Sequence, residues 1–221
     1  RLPMTIRNNL VTVAAGSIQK GIGAVYTGTI AEAWADFQGA PDSVFHVSSF
    51  AGLYQAVKPV PPISFAGSVD VATIMSGLAT TMGLTFENSG VTARLSNPYF
   101  PGTAREQAQR CADAAGIEWI IDGTVLAIWP RGQNRRGLIP VISAATGMVG
   151  YPSYTLTGVV ITMLFNPSIG YGQRVKIESD LPAANGEWII YTMTHMLDAE
   201  FPGGHWLTRF EAAPPGYVPV R

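Results

Sequence analysis

Four side chains near the end of the chain could bind a divalent metal ion: His195, Asp198, Glu200 and His205. Imidazole and carboxylate groups are common ligands of such ions, and a bound ion could activate water for hydrolysis. A hairpin would bring His195 and His205 together, since they fall at the ends of neighbouring predicted strands. Their spacing matches no metal motif, and a polar turn explains the same residues. We favour the turn, and a metal-assisted hydrolase that uses His195, Asp198 and His205 stays an alternative.

Other signs of catalysis are absent from the sequence. No Gly-x-Ser-x-Gly elbow of a serine hydrolase occurs. Asp113, Glu118 and Asp122 are close in sequence, but we expect them on a polar helix face and a hairpin rather than as a glycosidase pair. The glycines of residues 21–23 and 147–150 lack the Gly-Lys-Ser/Thr sequence of a phosphate loop. We therefore predict no enzyme activity, no catalytic, metal-binding or cofactor-binding residues, and no cofactor.

The composition indicates an assembly. Charged residues make up 13% of the 221 residues, about half the usual quarter. A surface so poor in charge suits contact with partner subunits, although a monomer with a neutral polar surface stays open. The net charge of −1 provides no general attraction to nucleic acid or anionic lipid.

Cellular location is constrained by cysteine content and apolar run length. Cys111 is the single cysteine, so no intramolecular disulfide can form, which fits folding in a reducing cytosol. No apolar run approaches the ~18 residues that a membrane-spanning helix needs, so we expect no membrane insertion. The chain starts at Arg1 without Met, within a strand-like pattern, and we expect it to be cut from a longer protein.

Residues 1–66 are predicted to be a β segment. β-Branched and aromatic residues between glycines and prolines favour strands at residues 10–14, 24–30 and 44–48. Residues 58–62 contain three prolines and end the segment, and these prolines favour an extended connector there.

Residues 67–130 are predicted to form a small α/β domain. Helical spacing of apolar residues predicts a helix over 71–82, with Ser68 or Asp70 as its cap. Thr103 and Glu106 form a capping box that starts a second helix, which ends at Gly116. The inner face of this helix consists of small side chains, mainly alanines. Because Cys111 lies on that face, we expect its thiol to be buried and inert.

The strands of this domain extend the pattern. Residues 118–122 and 125–129 read as a hairpin. The order helix, glycine, strand, strand occurs twice, with Gly83 and Gly116 in matching places. We interpret this as an α-β-β repeat, with chance similarity as the alternative.

Residues 131–137 are a polar, glycine-bounded loop, predicted to be a linker. Its arginines, Arg131, Arg135 and Arg136, could touch phosphate. A solvated linker is the interpretation we favour, because no aromatic residues are interleaved for base stacking.

Residues 138–213 are predicted to form a small antiparallel β-barrel, followed by a tail at 214–221. Strands are expected at residues 139–143, 156–164, 173–178, 187–197 and 205–211. Asn185-Gly186 indicates a turn, and the irregular alternation of apolar residues in 187–197 indicates a bulge. We expect residues 175–177 to be a barrel edge, where an added charge would block assembly.

Tryptophans are the remaining candidates for a binding surface. Trp119, Trp129, Trp188 and Trp206 lie within predicted strands, where packing explains them. A carbohydrate platform would need them exposed together. The lysines, Lys20, Lys58 and Lys176, are few and scattered. A nucleic-acid or carbohydrate binding module is therefore the alternative to a structural role.

The order of segments and several of their motifs resemble bacteriophage baseplate hub proteins. The resemblance covers about residues 65–212 and, by general pattern only, 1–64. Its motifs are the helix at 71–82, the run Gly-Ile-Glu-Trp-Ile-Ile-Asp-Gly from Gly116, Gly-Met-Val-Gly-Tyr-Pro from Gly147 through Leu-Phe-Asn-Pro at 164–167 and Gly172, and His-Met-Leu-Asp from His195 with Gly-Gly-His-Trp from Gly203.

The resemblance implies a fold and a structural function. It implies tube-like barrel domains that flank the α/β domain, two per chain, so that a trimer forms a pseudo-sixfold ring. The ring would join the tail tube to the central spike and enclose the channel for the tape measure protein and DNA, which only passes through. Other baseplate proteins would be further partners. The chain would belong to the virion baseplate, would be made in the host bacterial cytoplasm, and would be related to spike-complex proteins of contractile injection systems.

Overall fold

Strands dominate the structure, with 46% of the residues against 17% in helices. The computed structural model describes residues 9–17, 21–39, 41–200 and 202–217. The chain divides into two units, Arg1–Ile128 and Trp129–Arg221. The predicted α+β class with mainly β content is confirmed. Within the described ranges, no helix is long and apolar enough to cross a membrane.

The first sheet is antiparallel and follows the predicted strands. Its strands pair in the order β1-β2-β3: β1 (Leu10–Ser17), β2 (Gly21–Asp36) and β3 (Val44–Phe50). The pairing of β2 with its neighbours shifts after Val13 and after Ile30. Such bulges bend a sheet and increase its twist.

A small α/β region follows in the same unit. Its elements are α1 (Leu53–Val57), β4 (Ile63–Ser64), β5 (Ser68–Asp70), α2 (Val71–Met82), β6 (Thr85–Asn88), β7 (Arg94–Ser96), β8 (Tyr99–Phe100), α3 (Ala104–Ala115), β9 (Ile117–Asp122) and β10 (Val125–Pro130). β6, β10 and β9 form one sheet in that order, while β4 pairs with β8 and β5 pairs with β7. The predicted helices and the predicted hairpin are all present.

The two long helices begin differently. At α3 the capping box is confirmed, since Thr103 Oγ1 accepts from Glu106 N and Glu106 Oε2 accepts from Thr103 N. At α2 the prediction of a side-chain cap is wrong. Asp70 occupies the cap position without capping, because its carboxylate binds Arg94 Nη1 at 3.0 Å. Ser68 also accepts from Arg94.

The predicted repeat holds in element order but not in pairing. α2 and α3 each end at a glycine with positive φ, Gly83 and Gly116, and a strand follows each. β6 then pairs in parallel with β10, whereas β7 leaves that sheet and pairs with β5. The two halves therefore share one sheet without being copies of one another.

The core of this region lies between α2, α3 and the short strands. The predicted apolar face of α2 is buried, as are the small residues of α3. The buried side chain of Gln107 donates from Nε2 to Pro61 O and Gly102 O. These two bonds tie the proline-rich connector to the start of α3.

The second unit is a curled six-stranded sheet that forms a half-barrel. Its strands are β11 (Val141–Ile142), β12 (Ser153–Tyr154), β13 (Val159–Leu164), β14 (Arg174–Ile177), β15 (Gly186–Leu197) and β16 (Trp206–Ala213), in the order β11-β14-β15-β16-β13-β12. A second core fills its concave side, with Phe210, Ile161 and Ile190 among its largest buried side chains.

Two details of this sheet test the sequence predictions. The predicted bulge in β15 is confirmed, because pairing with β16 shifts after Ile190. The predicted edge at residues 175–177 is wrong. β14 pairs with β11 on one side and with β15 on the other, and Val175 and Ile177 are fully buried. The edges are the two-residue strands β11 and β12.

Candidate assembly surfaces

Asp198 and His205 close the loop between β15 and β16. Asp198 Oδ2 accepts from the backbone N of His205 at 2.8 Å and lies 2.9 Å from its Nδ1, while Asp198 N donates to His205 O at 2.8 Å. The bond from the backbone N–H, followed by that from the imidazole, lowers the pKa of the Asp198 carboxyl. The pair is exposed, and its hydrogen bonds stabilise the turn.

His195 takes part in a different contact. Its Nδ1 lies 2.9 Å from Oγ1 of Thr208 on the adjacent strand, and its ring makes a T-shaped contact with the ring of Phe165, with 5.2 Å between the centroids. Partial burial lowers the pKa of His195, because desolvation disfavours the charged imidazolium. A neutral histidine packed in this way is a structural group.

The four predicted metal ligands therefore do not form one site. Asp198 pairs with His205, His195 pairs with Thr208, and Glu200 lies in the turn between them with a φ of 59°. Among the residues that the structure describes, no three His, Cys, Asp or Glu side chains are grouped to hold a metal ion. The arrangement favours the polar turn over the hydrolase.

The other predicted candidates are packing groups. Cys111 is buried, and burial raises the pKa of its thiol to about 12, as expected for an inert thiol. Trp129 is buried, Trp119 Nε1 donates to Gln109 Oε1, and Trp188 Nε1 donates to Ala184 O. Trp206 packs against Phe165. These tryptophans make no shared exposed platform.

The polar loop of residues 131–137 is hydrogen-bonded to other residues of the second unit. Arg135 N donates to Gly172 O at 2.8 Å, and Asn134 Oδ1 accepts from Arg174 Nε at 3.0 Å. Arg131 and Arg135 are partly buried, while Arg136 is exposed. The alternative of a phosphate contact gains no support from this placement.

The first sheet exposes large apolar side chains on both of its faces. Residues directly opposite in an antiparallel pair lie on the same face. Trp34 and Val44 are exposed on one face, where Trp34 pairs with His46, and Phe45 and Val47 are exposed on the other. Leu10, Val13, Ile22 and Phe50 add to this surface. Apolar exposure on both faces is typical of a surface that contacts another protein.

One face of this sheet carries an aromatic pair between two carboxylates. Trp34 stacks on His46 with ring centroids 4.9 Å apart and an interplanar angle of 13°. Glu32 and Asp36 precede and follow Trp34 by two residues, and their partners on β3 are Ser48 and Val44. We call these five positions, Glu32, Trp34, Asp36, Val44 and His46, the Trp34 face.

The second unit contributes an uncharged surface. No Asp, Glu, Lys, Arg or His occurs from Gly137 to Gln173, which we call the uncharged segment. It supplies both edge strands and eight exposed large apolar residues: Leu138, Ile139, Val141, Val149, Tyr151, Tyr154, Leu156 and Leu164. Leu156 is fully exposed at 107%. The turn that presents it is fixed by bonds between Thr155 and Gly158.

Sequence reasoning missed the Trp34 face. The signal was present as the alternation Glu32-x-Trp34-x-Asp36, which places the three side chains on one side of a strand. The predicted strand ended at residue 30, before this alternation, because the bulge after Ile30 breaks the period of two.

Comparisons with known proteins identify a family and related folds. A family model described as Baseplate hub gp41 matches residues 5–200. A tail protein from Neisseria meningitidis MC58 is similar in fold, with a TM-score of 0.62, 10% sequence identity, and coverage of 89% of this chain and 82% of that one. The 43 kDa tail protein of prophage MuSo2 from Shewanella oneidensis is also similar in fold. Its TM-score is 0.60 and its sequence identity 11%, and the match covers 88% of this chain and 78% of that one. No curated protein sequence matches the chain.

Proposed function

Because this chain belongs to the baseplate hub gp41 family, a structural part of the phage tail, we propose that it forms the trimeric central hub of the baseplate. The hub joins the tail tube to the central spike and encloses the channel. Tape measure protein and DNA pass through that channel, and other baseplate proteins surround it. The protein is made in the host cytoplasm, inserts in no membrane, and acts without catalysis.

The observation that carries the proposal is the first sheet with exposed apolar residues on both faces. Fully burying a large exposed apolar side chain contributes about 1.5–3 kcal/mol, and a side chain that is already half-buried contributes roughly half of that. In a monomer Trp34, Phe45 and Val47 stay in water. In a ring, neighbouring subunits cover both faces and the free strand edges together.

Membership of the baseplate hub family supports the domain organisation that we propose. Residues 1–66 are part of one tube-like barrel domain and residues 138–213 are the other, and the two flank the α/β domain of 67–130. The linker is 131–137, and the tail is 214–221. Three chains then place six barrel domains around one axis, which matches a sixfold tube to a threefold spike. Related rings would occur in contractile injection systems.

Solution mass by light scattering across a concentration range tests the trimer. We expect the wild-type mass to rise towards three chains with concentration. Leu156→Asp puts a charge at the apex of the uncharged segment and should lower the trimer fraction at least about tenfold, because burying an unpaired carboxylate is costly. Thr73→Asp, at an exposed position of α2, is the matched control and should leave the trimer fraction unchanged.

A wild-type chain that stays monomeric at every concentration, including in the presence of tail tube and spike proteins, contradicts the trimer. A trimer that forms equally well with Leu156→Asp removes the uncharged segment from its interface.

A further inference from the structure

We propose that the Trp34 face binds a cationic side chain, an arginine or a lysine, that projects from an apolar segment of a partner protein. The cation lies on the indole of Trp34 between the carboxylates of Glu32 and Asp36, and apolar neighbours of the cation contact Val44. The inference rests on the proposed assembly role and specifies the chemistry of the partner at one of its surfaces.

Register places the required groups together. In the pairing of β2 with β3, Glu32 is opposite Ser48, Trp34 is opposite His46, and Asp36 is opposite Val44. All six side chains are therefore on one face of the sheet. Alternate residues along a strand are about 6.6 Å apart, so each carboxylate flanks the indole at a distance that a long cationic side chain can bridge.

Stacking orients the indole for such a contact. The imidazole of His46 lies parallel to one ring face of Trp34, which fixes that side chain across the two strands. Trp34 is nonetheless 48% exposed, which leaves indole surface for a ligand. Cations bind within about 6 Å of the centroid of an aromatic ring, and tryptophan is the strongest of the aromatic partners.

The charged side chains that the structure describes in this sheet and its loops are all acidic. Within the described part of residues 9–50 there is no Lys or Arg, and the charged side chains are Glu32, Asp36 and Asp42. Arg105, which follows this sheet in the chain, is engaged elsewhere, because its Nη1 donates to Ala51 O and its guanidinium lies over the ring of Trp119. A partner that supplies positive charge completes the face, and an acidic partner is repelled.

The apolar neighbours require more than a free cation. Val44 is 56% exposed beside Asp36, and Phe50 on the same face of β3 is 58% exposed. Water leaves these side chains only when an apolar surface covers them. Interfaces of this kind place an aromatic and an arginine at the centre of an apolar patch. The occupant is therefore a protein segment rather than an ion.

The experiment uses a fluorescein-labelled synthetic peptide in which leucine alternates with arginine, titrated into the full chain and followed by anisotropy. The comparison peptide carries citrulline, which has the shape of arginine without its charge. We expect the arginine peptide to bind about tenfold or more tightly than the citrulline peptide, and to weaken with added salt.

Variants locate the contact. Trp34→Leu, and Glu32→Gln combined with Asp36→Asn, should each remove most of the difference between the two peptides. Asp180→Asn, which removes an exposed carboxylate from the second unit, should leave it unchanged. Thermal melting of each variant shows whether the fold is retained, and the Trp34→Leu and double-carboxylate variants alter the face by independent changes.

Equal binding of both peptides overturns the proposal, as does an arginine preference that survives in both face variants. Tighter binding of an oligosaccharide than of either peptide also overturns it. If the wild-type chain shows no preference for the arginine peptide but still forms trimers, the cation site is wrong and the hub function stands. A retained preference in a chain that never trimerises removes the hub function instead.

Discussion

Nδ1 of His195 and Oγ1 of Thr208 are 2.9 Å apart on neighbouring strands of the second unit. Thr208 is fully buried, and its Oγ1 also accepts a hydrogen bond from Asn166 N at 3.3 Å. The contact satisfies two polar side chains at the end of an apolar core. It suits a neutral imidazole, which burial favours.

Stability should fall on mild acidification because of His195. Burial lowers the pKa of His195 in the folded protein below its ordinary value of 6.5, so the unfolded chain takes up the proton first. The free energy of unfolding therefore decreases as pH falls below about 6.5 and levels off below the folded-state pKa. Urea unfolding between pH 8 and pH 5 measures this, and His195→Gln should flatten the slope in that window.

Asp198 titrates at lower pH, so it does not contribute to the change in stability between pH 8 and pH 5. Its pKa lies below the ordinary 3.8, so its contribution is present above about pH 4 and is lost as pH falls through the folded-state value. An undiminished slope between pH 8 and pH 5 in His195→Gln would show that another group is responsible.

Cys111 should react with thiol reagents only when the chain opens. With a pKa of about 12, roughly one thiol in ten thousand is ionised at pH 8, and the side chain is fully buried. We expect labelling by a chromogenic disulfide to be immediate in urea and to follow the unfolding rate in its absence. Rapid labelling of the native chain would contradict the burial of α3 against its neighbours.

The start of α3 offers a local stability test. Thr103→Ala removes the acceptor for Glu106 N and should lower the free energy of unfolding by about 1 kcal/mol. Thr92→Ala, at an exposed position outside any helix or strand, should change it by less than about 0.5 kcal/mol. Equal effects in chemical denaturation would mean that the capping box contributes little.

Gly172 and Gly203 separate backbone strain from steric clash. Both have positive φ, 76° and 75°, which costs an alanine about 1–2 kcal/mol. A Cβ at Gly172 would lie 2.8 Å from Cζ2 of Trp129, whereas one at Gly203 meets nothing within 4 Å. Gly172→Ala should therefore destabilise the chain by at least about 1 kcal/mol more than Gly203→Ala. Similar midpoints of denaturation would exclude the clash.

Local signals in the sequence predicted the fold well. The capping box at Thr103 and the bulge in β15 depend on neighbours in sequence, and both are present. Predictions failed where a distant residue decides the outcome. Asp70 was expected to cap α2, but it binds Arg94, which is brought close by the pairing of β5 with β7.

At the candidate sites, too, predictions failed where residues distant in sequence decide the outcome. Residues 175–177 were expected at an edge, but β11 and β15, which come from before and after them in the chain, enclose them. The hairpin leaves open from sequence alone whether His195 and His205 meet, and in the structure each has another partner, Thr208 and Asp198. The exposure of Trp34 depends on which other elements pack on the sheet, and the sequence of β2 alone does not determine that packing.

Electron cryo-microscopy of purified phage tails that contain this chain tests the central claim most directly. We predict density for three copies of this fold around the tail axis, between the end of the tail tube and the central spike, with the first sheet covered on both faces by neighbouring chains. Copies placed at the periphery of the baseplate, or a number around the axis other than three, would contradict the hub.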